Sequence, residues 1–257
     1  MLVAHFIFWE GLKVFSLVFL ALLAVKIIRS MSFGGVQTGR RGPLIKGALY
    51  LLVFVIAAAG ARVAGDDAAA ELYYQAAQRD SSRNQVVLAY SNALRAVGLR
   101  PGEIRYWRAL LESKIQGQQY ASALADEPAI RRLSGGVLSV EDEQRFAACH
   151  YALGQYKQAL DGTGRIIRQN HFYGGAYLLE GMSYIALQQY GEAEASLLTL
   201  LGYFPTDETG VSELAQAYYL SGDTARAMAV LGATNKYSFS PAQRRHFDDL
   251  KGLYAQR

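Results

Sequence analysis

A step of 34 residues limits what this chain can fold into more than any other feature. Ala159, Ala193 and Ala227 lie 34 apart, as do Ala147, Gly181 and Ala215, and again His150, Tyr184 and Tyr218. Toward the N-terminus Ala89 and Ala123 keep the same step, and so do Tyr73 and Trp107. Recurrence at a fixed period of roughly 20 to 50 residues marks a stacked array, whose units bury their apolar faces only against one another. The expected architecture is therefore a stacked array of about five repeats.

With repeats placed at 70–103, 104–137, 140–173, 174–207 and 208–241, the positions acquire a signature. Trp107 and Leu110 fall in first-helix columns of repeat two, Gly181 and Tyr184 in those of repeat four, and Pro101 and Pro205 close two of the units. Ala89, Ala123, Ala159, Ala193 and Ala227 fill one small-residue column, with Tyr120, Tyr156 and Tyr190 three residues before the alanine. In these residues the chain resembles the tetratricopeptide repeat (TPR) family over about two thirds of its length. The resemblance implies an all-α chain, an α-solenoid of about five helical hairpins, and a binding scaffold rather than an enzyme.

It also implies a concave wall made by first helices. In register, that wall comprises Tyr74, Gln78, Arg105, Arg108, Glu112, Gln144, Arg145, Tyr151, Leu178, Met182, Ile185, Gln216 and Tyr219. Arg105, Arg108 and Arg145 suit an acidic or carboxylate-bearing segment, and Leu178, Met182 and Ile185 make an apolar strip for a helix or extended peptide. Ordinary solvated surface is the competing reading. The Lys and Asn clamp with which some family members hold chaperone C-termini is absent, because Tyr74 and Gln78 stand at those places.

The first 65 residues have a different character. They hold seven Lys or Arg against Glu10 alone, a net +6, whereas the remainder has 19 basic and 21 acidic residues, a net −2. The basic balance of the chain thus belongs to its apolar N-terminal part, and the mildly acidic array argues against a nucleic-acid partner. Apolar stretches at about 3–28 and 45–64 are expected to form a two-helix transmembrane hairpin in domain 1–65, since a span needs about 20 residues. An amphipathic first helix lying on the bilayer surface is the alternative. Glu10 and Lys13 share a helical face near Trp9, and Ala57 and Ala61 have the spacing either of a close packing face or of a lipid-facing alanine cluster. Arg29, Arg40, Arg41 and Lys46 lie between the stretches without an acid, so the positive-inside rule puts that loop in the cytoplasm. The array, 66–241, would then stand on the periplasmic side of a bacterial inner membrane, a two-pass topology with Asp66 and Asp67 at the exit. Gly34 and Gly39 have phosphate-loop spacing, but Arg40 and Arg41 replace the required Lys and Ser/Thr, and no strand precedes.

Chemistry is otherwise sparse. His5, His150, His171 and His246 show no metal-ligand spacing with one another or with Cys149, whose place in a first helix suits a small core residue. No metal or cofactor is expected; His5 is the one residue that could ligate a haem or pigment, its competing place being the headgroup layer. Ser139 with Asp142, and Ser240 with Pro241 and Gln243, are helix-opening patterns. The second begins a last helix in 242–257, read as a terminal cap or a partner-binding tail. Pro128 interrupts the second helix of repeat two, either as a docking notch or as a tolerated irregularity.

Two functions fit. One is a membrane-anchored scaffold for a protein partner, as assembly factor or accessory subunit of a membrane complex. The other is a structural subunit of a photosynthetic or respiratory complex, with the hairpin packed against the core and the repeats contacting a soluble or cytochrome partner. Either way the alanine column admits no bulk. Ala193→Trp is expected to lower the midpoint of a circular-dichroism melt, and an unchanged midpoint would contradict the array.

Overall fold

The computed structural model describes residues 25–26, 41–234 and 239–255, without side chains at 41–46 and 61. The first apolar stretch, apart from Val25 and Lys26, lies outside the described residues, as do His5, Glu10 and Lys13. No strand occurs among the described residues. The chain separates into two compact units, the first ending at Ser113 and the second beginning at Lys114.

Unit 1 is built on α1 (Arg41–Ser82), α2 (Val86–Leu99) and most of α3 (Ile104–Gln116). Pro43 falls in the first turn of α1, where a missing N–H costs little, and no proline follows to stop the helix. At about 1.5 Å per residue, its 42 residues extend about 63 Å. The sequence marks a domain change at Gly65, but the backbone does not. Asp66 and Asp67 lie inside the helix, with Asp67 paired to Arg100 after α2. Among the described residues α1 is the one helix long and apolar enough to cross a membrane, and almost none of its apolar window is buried. Leu51, Leu52, Phe54, Val55 and Ile56 are all exposed. Beyond Gly65, Ala70 and Ala77 of α1 pack on Ala93, Ala96 and Val97 of α2, with Tyr106 and Leu110 of α3 completing the cluster.

Unit 2 opens with an interrupted helix, α4 (Tyr120–Leu124) and α5 (Glu127–Leu133). Pro128 falls in the first turn of α5, a position that suits it. Asp126, at the break, pairs with Lys114 at 2.6 Å, and Lys114 also donates to the Ser122 carbonyl at 3.1 Å. Both residues of that pair are buried. Three hairpins follow: α6 (Val140–Ala152) with α7 (Tyr156–Gln169), α8 (Gly174–Ala186) with α9 (Tyr190–Tyr203), and α10 (Glu208–Leu220) with α11 (Thr224–Ala233). The first helices α6, α8 and α10 touch one another more closely than the second helices do, so within unit 2 they form the inner wall. Helix α12 (Pro241–Tyr254) starts with a complete capping box at Ser240 and Gln243, and its Phe247 and Tyr254 enter the core of α10 and α11.

Small residues set the distance between helices. Ala123, Ala159, Ala193 and Ala227 are fully buried at 0% exposure, and Ala89 at 1%. A Cβ on Gly181 would stand 2.6 Å from the Leu197 side chain, and one on Gly162 would stand 2.8 Å from Ala147 Cβ. The turns inside each hairpin repeat as well. Asn84, Gln118, Gly154, Gln188 and Gly222 all have positive φ. At each, the next residue's N–H reaches five residues back, as in Gln155 to the His150 carbonyl at 2.9 Å and Gln189 to the Tyr184 carbonyl at 2.9 Å. This is the Schellman helix ending, in which the left-handed residue is glycine's natural place. A Cβ at Gly154 would meet nothing within 4 Å, so the cost of adding one is conformational. Gly154→Ala should lose about 1 kcal/mol in a urea titration, whereas Gln188→Gly at the equivalent turn should lose none. Equal losses would rule out the left-handed turn as the cause.

Candidate functional site

The wall residues expected from the sequence divide between the two units, and each group has its own chemistry. In unit 1, Arg105 pairs with Glu71 at 3.0 Å and with Glu103 at 3.6 Å. Its guanidinium lies 5.5 Å from the Tyr74 ring centroid and 5.0 Å from that of Tyr106. Tyr106 donates to Glu71 at 3.2 Å, and Gln78 donates to the Tyr74 hydroxyl at 2.6 Å. Burial, with help from Glu71, pushes the Tyr106 phenol up to about 12. Arg108 and Glu112 are half-buried on the same helix. Arg105 is thus paired with acids of its own chain while its side chain stays 47% exposed.

In unit 2, Arg145 likewise pairs with Asp142 at 3.3 Å, and Asp142 is fully buried. Gln144 donates to the Gly175 carbonyl at 3.3 Å. Leu178 and Met182 are half-buried, but Ile185 belongs to the core, 9% exposed among Ala193, Leu197 and Leu214. The expected apolar strip is therefore shortened at that end, because the last turn of α8 faces inward on the next hairpin. Gln216 is exposed, and Tyr219 stacks on Tyr254 with ring centroids 4.2 Å apart and an interplanar angle of 13°. Tyr151 packs on Tyr156 at 5.5 Å.

Glu213 is the residue the sequence reading passed over. It stands on α10, half-buried, with no hydrogen bond or ion pair among the described residues. Burial raises its pKa above the usual carboxylate range. Its charge reaches two tyrosines: Tyr151 and Tyr254 are raised first by burial and then by Glu213. A signal for it was present, since Arg145, Leu179 and Glu213 occupy one column of the 34-residue register. Tyr254 could not have been found that way, as it comes from outside the repeats.

The other candidates resolve simply. Cys149 is buried, which pushes its thiol up to about 11 and keeps it protonated. His150 bonds Gln155 at 2.7 Å, and His171 lies against Phe172. No group of three His, Cys, Asp or Glu able to hold a metal occurs among the described residues. Ala57 is half-buried, while the side chain of Ala61, like His5, Glu10 and Lys13, is outside what is described.

Comparison with solved structures places this architecture. Residues 41-end of MamA from Desulfovibrio magneticus RS-1 match with a TM-score of 0.60 at 16% identity, over 65% of this chain and 93% of that one. YrrB, a TPR protein with an unusual peptide-binding site, matches with a TM-score of 0.54 at 16% identity, over 69% and 90%. The chain has the TPR fold. TTC0263, a thermophilic TPR protein of Thermus thermophilus, agrees at a TM-score of 0.54 and 19% identity, over 70% and 98%. No family model and no curated protein matches the sequence.

In TPR terms, Glu213 is a first-helix residue of the last hairpin, and its unpaired charge should show in stability. A carboxyl whose folded pKa is raised binds its proton more tightly folded than unfolded, so stability falls as pH rises from the ordinary carboxylate range through the folded value. Glu213→Gln is expected to raise the melting midpoint at pH 7 and to change it little at pH 4. A gain of the same size at both pH values would show that Glu213 is not desolvated.

Proposed function

We propose that this protein is a membrane-anchored, non-catalytic TPR scaffold whose inner wall in unit 2 takes an extended peptide segment bearing a lysine or arginine. Helix α1 supplies the anchor, its exposed apolar run crossing the inner membrane of a bacterium. The basic residues before it stay in the cytoplasm and the repeats stand on the extracytoplasmic side. The scaffold serves a membrane-associated complex as an assembly factor or accessory subunit. That YrrB has a peptide-binding site supports peptide recognition here as well.

One observation carries the choice of ligand. Of the arginines expected to receive an acidic partner, Arg105 is held by Glu71 and Glu103 and Arg145 by Asp142, while Glu213 is desolvated and unpaired among the described residues. A half-buried carboxylate without a partner is costly unless a cation arrives to neutralise it, and nearby tyrosines suit the stem and face of a basic side chain. Fluorescence anisotropy with ten-residue peptides differing only in Lys or Glu at the central positions tests this. The Lys peptides should bind, and Glu213→Gln should weaken them about tenfold while Arg145→Ala leaves them unchanged. Preferential binding of the Glu peptides, lost in Arg145→Ala, would reverse the assignment.

A further inference from the structure

One joint of unit 2 breaks the spacing of the others. Four residues separate α7 from α8 and α9 from α10, but six, 134–139, separate α5 from α6. Gly135 and Gly136 both take positive φ there, and Val137 is left 68% exposed while Leu138 is buried. A cleft of about 290 Å³ lies at this joint, lined by Val137 and Leu138 of the turn, Arg131 of α5, Glu143 of α6, and Arg165 and Arg168 of α7. The charges on α6 and α7 are particular to it. One step of 34 onward from Glu143, Arg165 and Arg168 stand Tyr177, Thr199 and Gly202, so stacking of the repeats does not require them.

Glu143 is 2% exposed and fixes two guanidiniums. Arg165 meets both of its carboxylate oxygens through Nε at 3.0 Å and one of them through Nη2 at 2.9 Å. Arg131 uses its own Nη2 for Glu143 at 3.4 Å and for Glu127 at 2.7 Å. The Nη1 group of each has no acceptor among the described residues, and the two side chains are 40% and 35% exposed. Arg168, three residues further along α7, lies over Gly164, is exposed and makes no ion pair among the described residues. A guanidinium already held by a buried acid gives up little freedom when its remaining N–H groups meet an anion.

Charge and lining select the anion. Three arginines, Arg131, Arg165 and Arg168, against Glu127 and Glu143 leave a net +1, which one carboxylate neutralises and a doubly charged phosphate exceeds. Val137 and Leu138 add an apolar wall, and the volume is at the small end of ligand sites. We propose that this cleft binds a monocarboxylate carried on a branched aliphatic group, the chemistry of a small organic acid or of a polypeptide ending in leucine or valine. Arg168 and the Nη1 groups of Arg131 and Arg165 take the carboxylate, and Val137 covers the aliphatic group. No residue of α1 or α10 takes part, so the site depends neither on the anchor nor on Glu213.

Equilibrium dialysis of the full chain in dodecyl maltoside micelles tests this with four probes: acetyl-Ala-Ala-Ala-Leu with a free carboxylate, the same peptide as its amide, 4-methylpentanoate and inorganic phosphate. At least one of the two acids should bind about tenfold or more tightly than the amide and phosphate. Binding of 4-methylpentanoate would identify a small acid as sufficient, and binding of the peptide acid alone would identify the end of a polypeptide. Arg168→Ala, at an exposed position, should weaken the acid about tenfold without moving the melting midpoint. Arg168→Lys should restore part of that loss, and Arg145→Ala on the inner wall should change nothing. Equal binding of peptide acid and amide, phosphate as tight as either acid, full affinity in Arg168→Ala, or no binding of any probe would each overturn the site.

Discussion

The interhelical distance at the small-residue columns is the constraint on which the rest of unit 2 depends. Leu197 fills the space left by the missing Cβ of Gly181, and Ala147 that left by Gly162. Where helices come so close, leucine side chains such as Leu197 and Leu200 can be wholly buried between hairpins that have no other core. Each hairpin is thereby set against its neighbour at a fixed distance, and the first helices come to form one inner wall. The Schellman endings act in concert with this. By turning the chain within two residues, they return the second helix along the first before the small residues drift out of register.

Charge follows a similar rule of few free partners. Several arginines of the repeats are tied to buried or half-buried acids: Arg105 to Glu71, Arg145 to Asp142, Arg165 to Glu143 and Arg226 to Glu194. Burying an acid requires a partner, and the arginines supply it. The consequence is functional. Among the described residues, Glu213 stays uncommitted on the inner wall and Arg168 at the inter-hairpin edge. On the function proposed above, Glu213 marks a surface that prefers a cation.

Continuity of α1 links its exposed apolar run to the first repeat. No flexible linker separates the apolar run from the part of the helix that packs on α2, so unit 1 cannot reorient about that junction without breaking a helix. The Arg100 to Asp67 pair tightens the same junction from the neighbouring turn.

The period of 34, the alanine column and the all-α class were legible in the sequence, because a repeat must place the same small residue at the same close contact each time. The break at Pro128 was legible too, since proline lacks the N–H that a helix interior needs. The left-handed positions were harder to see, as Asn84, Gln118 and Gln188 stand where glycine would announce the turn. Only the tertiary structure decided which wall residues are free. Whether Arg145 meets a ligand or Asp142, whether Ile185 lines a groove or a core, and whether Glu213 finds a cation within the protein depend on side chains brought together from separate helices. A one-dimensional register specifies the column a residue occupies but not the neighbour that faces it across the stack.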